Sequence, residues 1–245
     1  MRLAIFSDIH SNMDALEAVI ADAAQFRIDR YICLGDIVGY GPNPNLCVRR
    51  IISLPNLECV VGNHDEIARH EGPVYNMNKE AARAIQWTRR RLSEESRAFL
   101  RSLGPVLKKE HMIFAHGAPW APMEWKYVMN TDQARRAFSR TQEKILFIGH
   151  SHVPQMISRG KLRIRFESPE ERSLMYAGGS DRIIVNCGSV GQPRDGNPTA
   201  SYVIYDTERK TVLFRRVPYD IGRAAEKIIA AGLPEFLAAR LFEGV

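Results

Sequence analysis

A chain of 245 residues with 45% hydrophobic and 25% charged side chains has apolar material for one sizeable core and the charge content of an ordinary globule, not the composition of a disordered chain. Its formal net charge of +6, from 34 Lys and Arg against 28 Asp and Glu, is modest for a nucleic-acid binder, so no stable nucleic-acid complex is expected. The four cysteines have neither metal-type spacing nor disulfide density, Leu3 to Phe6 is too short for a signal-peptide core, and no apolar run approaches the ~20 residues of a membrane span, so the expectation is a cytoplasmic protein without membrane association.

The first apolar run, Leu3 to Phe6, reads as a buried strand and is followed by Ser7-Asp8-Ile9-His10. Leu16, Val19, Ile20 and Ala23 then fall on one helical stripe, with Asn12 placed either to begin that helix or to reach the site. A second strand, Tyr31 to Leu34, ends in Gly35-Asp36. Asn43-Pro44 reads as a cap and first helical residue leading to Leu54. The third strand, Glu58 to Val61, runs into Gly62-Asn63-His64-Asp65, and a helical insert follows over about 66–110. Two helices are expected there between Asn78 and Leu103, packed near the site as a candidate lid.

The fourth strand, Met112 to Ala115, leads into His116-Gly117, with Trp120 and Trp125 beyond, either packed under a loop or walling a substrate pocket. The fifth, Ile145 to Ile148, leads into Gly149-His150-Ser151-His152. After a strand from Arg182 to Asn186, the Gly- and Pro-rich loop Gly188 to Pro198 carries Arg194, placed either to grip substrate or to pair with a neighbour such as Asp195. A hairpin of Ser201 to Tyr205 and Thr211 to Val217, and helices from Gly222 onward, complete a pattern without repeats or linkers.

Strands alternating with helices gather ligands outside their carboxyl ends. Here five such ends carry five of the seven histidines, together with Asp8, Asp36 and Asn63, and His70 and His111 are left outside. A lone histidine after a strand is usually structural, but a cluster of this size is a metal-site pattern. Nitrogen and oxygen donors without thiolate suit Mn²⁺, Fe, Zn²⁺, Ni²⁺ or Co²⁺ and argue against a structural cysteine-type zinc.

The series Asp8-x-His10, Gly35-Asp36-x-Val38, Gly62-Asn63-His64-Asp65, His116-Gly117 and Gly149-His150-Ser151-His152 resembles the calcineurin-like metallophosphoesterase superfamily. Asp-Ile-His-Ser-Asn, Gly-Tyr-Gly-Pro-Asn-Pro and Gly-Ser-Val-Gly-Gln-Pro-Arg-Asp-Gly are similar to its small prokaryotic phosphodiesterase-type branch. The resemblance implies an α/β fold of two packed mixed β-sheets flanked by helices, in one domain over 1–245. It implies two divalent ions, with manganese the working choice. One would sit on Asp8, His10, Asp36 and His152, and the other on Asp36, Asn63, His116 and His150. Asp36 would bridge them through its two oxygens, and a bridging hydroxide would attack phosphorus. His64 would protonate or steady the leaving oxygen, and Asp65 would orient His64.

Tyr40 stands where phosphoprotein phosphatases of the superfamily carry an Arg that grips a dianionic phosphate. Two carboxylates, two divalent ions and a hydroxide carry one net positive charge, which a diester monoanion neutralises. Cys187 and Ala118 also stand where close relatives carry Pro and Ser. The expectation is therefore a binuclear hydrolase of phosphodiester or nucleotide phosphoanhydride bonds acting on a small phosphorylated substrate, with Asn12 and Arg194 as candidate substrate contacts. The alternatives are a phosphomonoesterase or protein phosphatase and, from another class, a metal-binding scaffold without turnover.

Overall fold

Strands covered on both faces need apolar side chains on both, and the short runs rich in Ile, Val and Phe supply them. In the computed structural model, which describes residues 1–72, 77–161, 163–170, 173–176 and 182–245, β1 (Arg2–Phe6) leads through α1 (Met13–Ala23) to β2 (Arg30–Cys33), and α2 (Pro44–Ile52) leads to β3 (Leu57–Cys59). Three helices follow, α3 (Asn63–Arg69), α4 (Lys79–Arg91) and α5 (Glu94–Ser102), then β4 (Val106–Lys109), β5 (Met112–Ala115), α6 (Thr131–Arg140) and β6 (Ile145–Ile148). The rest comprises β7 (Gln155–Arg159), β8 (Ile164–Glu167), β9 (Leu174–Tyr176), β10 (Arg182–Asn186), the hairpin β11 (Ala200–Asp206) and β12 (Thr211–Val217), and α7 (Ile221–Ala230) and α8 (Glu235–Glu243).

Among the described residues there are two six-stranded sheets, ordered β3-β2-β1-β11-β12-β9 and β4-β5-β6-β10-β7-β8. Both are mixed. In the first, β1, β2 and β3 run parallel and β11 pairs antiparallel with β1. In the second, β5, β6 and β10 run parallel and β7 is antiparallel to β10. This is the helix-flanked pair of mixed sheets in one domain that the resemblance implied.

Alternation along β1 shows how the layers are held. Leu3 and Ile5 pack between the sheets with Ile32, Leu34, Phe114, Phe147 and Val185. Ala4 and Phe6 point the other way, onto Leu16, Val19, Val48 and Ile51 of α1 and α2. Fully buried Leu3, Ile5 and Phe6 contribute about 1.5–3 kcal/mol each, so a one-residue slip of β1 would empty both layers at once. The register therefore fixes where β1 ends, and Asp8 follows.

Some elements were not read from the sequence. Gly62-Asn63-His64-Asp65 does not stay a loop: Asn63 opens α3, so Asn63, His64 and Asp65 occupy a helix's first turn. The insert does contain the two expected helices, α4 and α5, although residues 73–76 within it lie outside those described. The end of that insert is not helical, since Val106–Lys109 forms β4 against β5, and neither β4 nor α6 nor β7 to β9 is among the elements read from the sequence.

Candidate metal centre

The parallel strands of both sheets end at one edge of the sandwich, and backbone hydrogen bonds lace their loops together there. Asp8 N donates to Gly35 O at 3.0 Å, His10 N to Asp36 O at 2.9 Å and Ser11 N to Ile37 O at 2.9 Å, which joins the loops after β1 and β2. From the second sheet, His150 N donates to Asp8 Oδ2 at 3.0 Å. The loop after β10 closes the ring: Gly191 N reaches Asp8 O at 2.9 Å and Ser189 Oγ donates to the same carbonyl at 2.8 Å.

This lacing holds an uncommon backbone. Asp8, His10, Asp36, His150 and His152 have φ of 56°, 50°, 51°, 66° and 61°, in the left-handed region that non-glycine residues seldom enter. Such positions cost on the order of 1–3 kcal/mol each and persist where the surroundings over-determine them, typically at functional sites. Gly39, with φ of 96°, supports them differently: a Cβ there would collide with Nδ1 of His64.

Two donor groups match the expected ligands, Asp8-His10-His152 and Asp36-His116-His150, and among the described residues His64 also clusters with His10 and Asp36. In the first, His152 Nε2 lies 3.2 Å and His10 Nε2 3.8 Å from Asp8 Oδ1, and the two imidazole nitrogens are 3.2 Å apart. In the second, His116 Nε2 lies 3.3 Å from Asp36 Oδ2, 3.0 Å from Asn63 Oδ1 and 3.1 Å from His150 Nδ1. Asp36 Oδ2 also lies 3.7 Å from His10 Nε2, so it belongs to both groups. Asp36 Oδ1 also accepts a hydrogen bond from His64 N at 2.8 Å, and Oδ2 is the oxygen that faces rings of both groups.

Every ring is fixed from outside. His10 Nδ1 meets Val38 O at 3.3 Å, His116 Nδ1 meets Leu34 O at 2.9 Å, His150 Nε2 meets Trp125 O at 2.8 Å and His152 Nδ1 meets Gln192 O at 2.5 Å. A carbonyl accepts only from an N–H, so each outer nitrogen carries a proton and the inner one can present its lone pair. This is how histidines are held for metal ligation. Asp8 Oδ1, fully buried, accepts no hydrogen bond, and among the described residues no Lys or Arg pairs with Asp8 or Asp36. A buried carboxylate oxygen facing imidazole lone pairs calls for a cation.

The charges agree. Burial lowers the His10 and His152 proton affinities, and burial with His116 nearby takes His150 down to about 3. Burial opposes ionisation of Asp8, yet His152 and His116 hold its carboxyl below the usual range. Burial also acts against a proton on His116, but Asp36 and Asp8 outweigh it and raise that ring to about 9. A proton on His116 Nε2 thus bridges the second group, at the point where a divalent ion would take its place.

The other candidates separate. His64 lines the cleft with Arg194, Tyr40, Asn63 and His152. Its Nδ1 is buried against Gly39 without a partner, which leaves Nε2 to meet a ligand, and burial lowers its affinity to about 4, so the ring is neutral. Asp65 does not orient that ring as expected. Its oxygens accept from Val38 N at 3.0 Å and Gly62 N at 3.2 Å, because the first turn of α3 turns them onto orphan backbone amides. Asn12 is also a correction: it caps α1 by accepting from Ala15 N at 3.1 Å and donates to Gly191 O at 3.0 Å, away from the cleft. Arg194 donates to Gln192 Oε1 at 2.8 Å with its head 5.9 Å from the Tyr40 ring, whereas Asp195 is taken by Arg216.

The sequence reading missed two supporting groups. Asn186 Nδ2 donates to Gly149 O at 2.8 Å and Ser151 Oγ at 2.9 Å, setting the loop of His150 and His152, and its only trace in the sequence is a polar residue closing an apolar strand. Tyr127 stacks on His150 with ring centroids 4.2 Å apart, a tertiary contact without local signature.

Comparison with known proteins places this geometry. Residues 1–210 match the model of the calcineurin-like phosphoesterase superfamily domain. An uncharacterised protein of Methanocaldococcus jannaschii is 40% identical over 252 residues, spanning 99% of this chain and 98% of its own. The crystal structure of a metallophosphoesterase from Sphaerobacter thermophilus superposes with a TM-score of 0.91 at 38% identity, over 100% of this chain and 99% of that one. A hypothetical protein from Pyrococcus horikoshii gives 0.83 at 20% identity over 100% and 98%, a likeness of fold alone.

Proposed function

Since the chain belongs to the calcineurin-like phosphoesterase superfamily, we propose that it is a binuclear phosphodiesterase, with nucleotide phosphoanhydrides as the neighbouring substrate class. The observation that carries this reading is the set of four imidazoles tied outward to carbonyls and converging with Asp8, Asp36 and Asn63. Asp8, His10, Asp36 and His152 would hold one divalent ion, and Asp36, Asn63, His116 and His150 the other. Such a pair supplies Lewis-acid polarisation of the phosphoryl group and a nucleophilic water at neutral pH. The thiolate-free donor set suits manganese, with iron, zinc, nickel or cobalt also matching. Four free cysteines support a reducing compartment such as the cytoplasm.

The remaining work belongs to the chain's own groups. His64, neutral and with one nitrogen free, donates an N–H to the leaving oxygen and steadies its developing charge. Arg194 is the one Lys or Arg among the described residues lining the cleft, and it is aimed by Gln192 and Tyr40. The strained, laced loops hold the donors in place, so they need not reorganise during the reaction.

A second reading has an observation of its own. Arg194 stands beside Tyr40, where it restores a cation to the cleft and favours a monoester dianion. The two are separated with Mn²⁺-loaded protein on bis-p-nitrophenyl phosphate and p-nitrophenyl phosphate. The diester is expected to show the higher kcat/KM, and Arg194→Ala to lose more on the monoester. Preference for the monoester in the wild type would transfer the assignment to the second reading.

A further inference from the structure

We propose that a cavity beside the metal centre is a nucleobase subsite, so that the phosphodiesters this protein cleaves carry a nucleoside; the inference rests on the phosphodiesterase reading above and adds its substrate class. The cavity has a volume of about 580 Å³, and its wall includes Trp120, Trp125, Tyr127, Asp132, Gln133 and Arg136. It meets the cleft at one residue. Tyr127 lines both, and its ring lies flat on His150 with planes 7° apart. A phosphoryl group seated at His150 therefore has Tyr127 beside it, and a substituent continuing past that ring enters the cavity.

The wall chemistry selects the substituent. Three aromatic residues line the cavity, and aromatic rings are the side chains that stack on a planar group. Met123, Tyr127 and Met129 are 44%, 41% and 55% exposed within one short loop, more apolar surface than a solvated turn needs. The rim is polar in a way an alkyl or plain phenyl group would leave unused. Gln133 Oε1 accepts from Met129 N at 2.8 Å, which leaves its amide NH₂ to donate. Arg136 is exposed and forms no ion pair among the described residues, whereas Asp132 pairs with Arg135 at 2.7 Å. A nucleobase has both a flat face and a hydrogen-bonding edge.

The wall is also set in advance. Trp125 O accepts from His150 Nε2 at 2.8 Å, and Ala118 N donates to Lys126 O at 2.9 Å, so the loop is fixed by the same bonds that fix the donors. Ordering it costs little when the substrate arrives.

The test compares two diesters with the same leaving group, thymidine 5′-(p-nitrophenyl phosphate) and methyl p-nitrophenyl phosphate, on Mn²⁺-loaded protein. Wild type is expected to favour the thymidine ester by roughly tenfold or more in kcat/KM, the scale of one stacked base. Trp120→Ala and Arg136→Ala should each shrink that ratio while leaving the methyl ester within about twofold of wild type. Trp120 packs partly on the core, so the exposed Arg136→Ala carries the same expectation where Trp120→Ala does not fold. No preference in wild type, or one untouched in both variants, overturns the subsite. If neither ester is cleaved, the phosphodiesterase reading has failed, and binding decides the subsite alone. Adenosine monophosphate quenching tryptophan fluorescence at least tenfold more tightly than ribose 5-phosphate binds, with the difference lost in Arg136→Ala, upholds it. Equal affinities overturn it.

Discussion

Asp8, Asp36 and the histidines around them carry an internal conflict that only a cation resolves, and their protonation shows its sign. In the folded chain His64 and His150 stay neutral down to about pH 4 and 3, against about 6.5 when unfolded. His10 and His152 are shifted the same way. Between about pH 6.5 and 4 the unfolded state therefore binds more protons, and stability falls as pH falls through that window. Asp65, raised to about 7 by burial and by Asp36, acts oppositely over the same range, and His116, raised to about 9, opposes only above about pH 6.5, where its extra proton is lost as pH rises, so inside the window one carboxyl stands against four rings. Chelator-treated protein is thus expected to melt at a lower temperature at acid pH than at neutral pH. An unchanged or higher melting temperature on acidification would mean that the rings are not held neutral. His64 permits a separate test. His64→Ala should lower kcat by roughly 10²-fold on a diester with an alkoxide leaving group and distinctly less on bis-p-nitrophenyl phosphate. Equal losses would move His64 from the leaving oxygen to the phosphoryl oxygens.

At the scale of elements, the centre depends on α3 and on the laced loops after β1 and β2. Asp65 joins the two by accepting from Gly62 N and Val38 N, so it fixes the turn that presents Asn63 and His64. Asp65→Asn puts an amide N–H against one of those donors and is expected to destabilise the fold by about 1–3 kcal/mol in denaturant titrations. Unchanged stability with an altered pH profile of kcat would instead restore Asp65 as the partner of His64. These elements also show what was legible in the sequence. β5 and β6 begin and end where their apolar runs do, because burial on both faces leaves one reading of Met112 to Ala115 and Ile145 to Ile148. α3 was illegible because its first turn is made of Gly, Asn, His and Asp, which propensity assigns to a loop. β8 left a signal that went unused, since Ile164 and Phe166 alternate with exposed Arg165 and Glu167. Of the site, the gathering of Asp8, His10, Asp36, His116, His150 and His152 at one place was legible from their positions after strands. Asn12, Asp65 and Arg194 were not, because a short polar side chain can serve the backbone or the cleft and only tertiary position decides.

For the whole molecule, two sheets packed through Leu3, Ile5, Phe114 and Phe147 bring ligands from opposite layers to one edge. Neither sheet alone assembles a complete donor group: Asp8 and His10 follow a strand of the first sheet, while His116, His150 and His152 follow strands of the second. Among the described residues no helix is long and apolar enough to cross a membrane, and the donors Asp36, Asn63, His150 and His152 line an open cleft with Tyr40, His64 and Arg194. Ion binding should therefore clamp the sheets together and raise thermal stability with ion concentration. If Asp36 joins two ion sites, the number of ions bound and their shared dependence on that residue follow from it. At saturating Mn²⁺, elemental analysis of desalted wild-type protein is expected to find two ions per chain, and Asp36→Ala is expected to weaken both sites together. At most one ion per chain in the wild type, or an Asp36→Ala variant that loses one ion and keeps the other at full affinity, would contradict it.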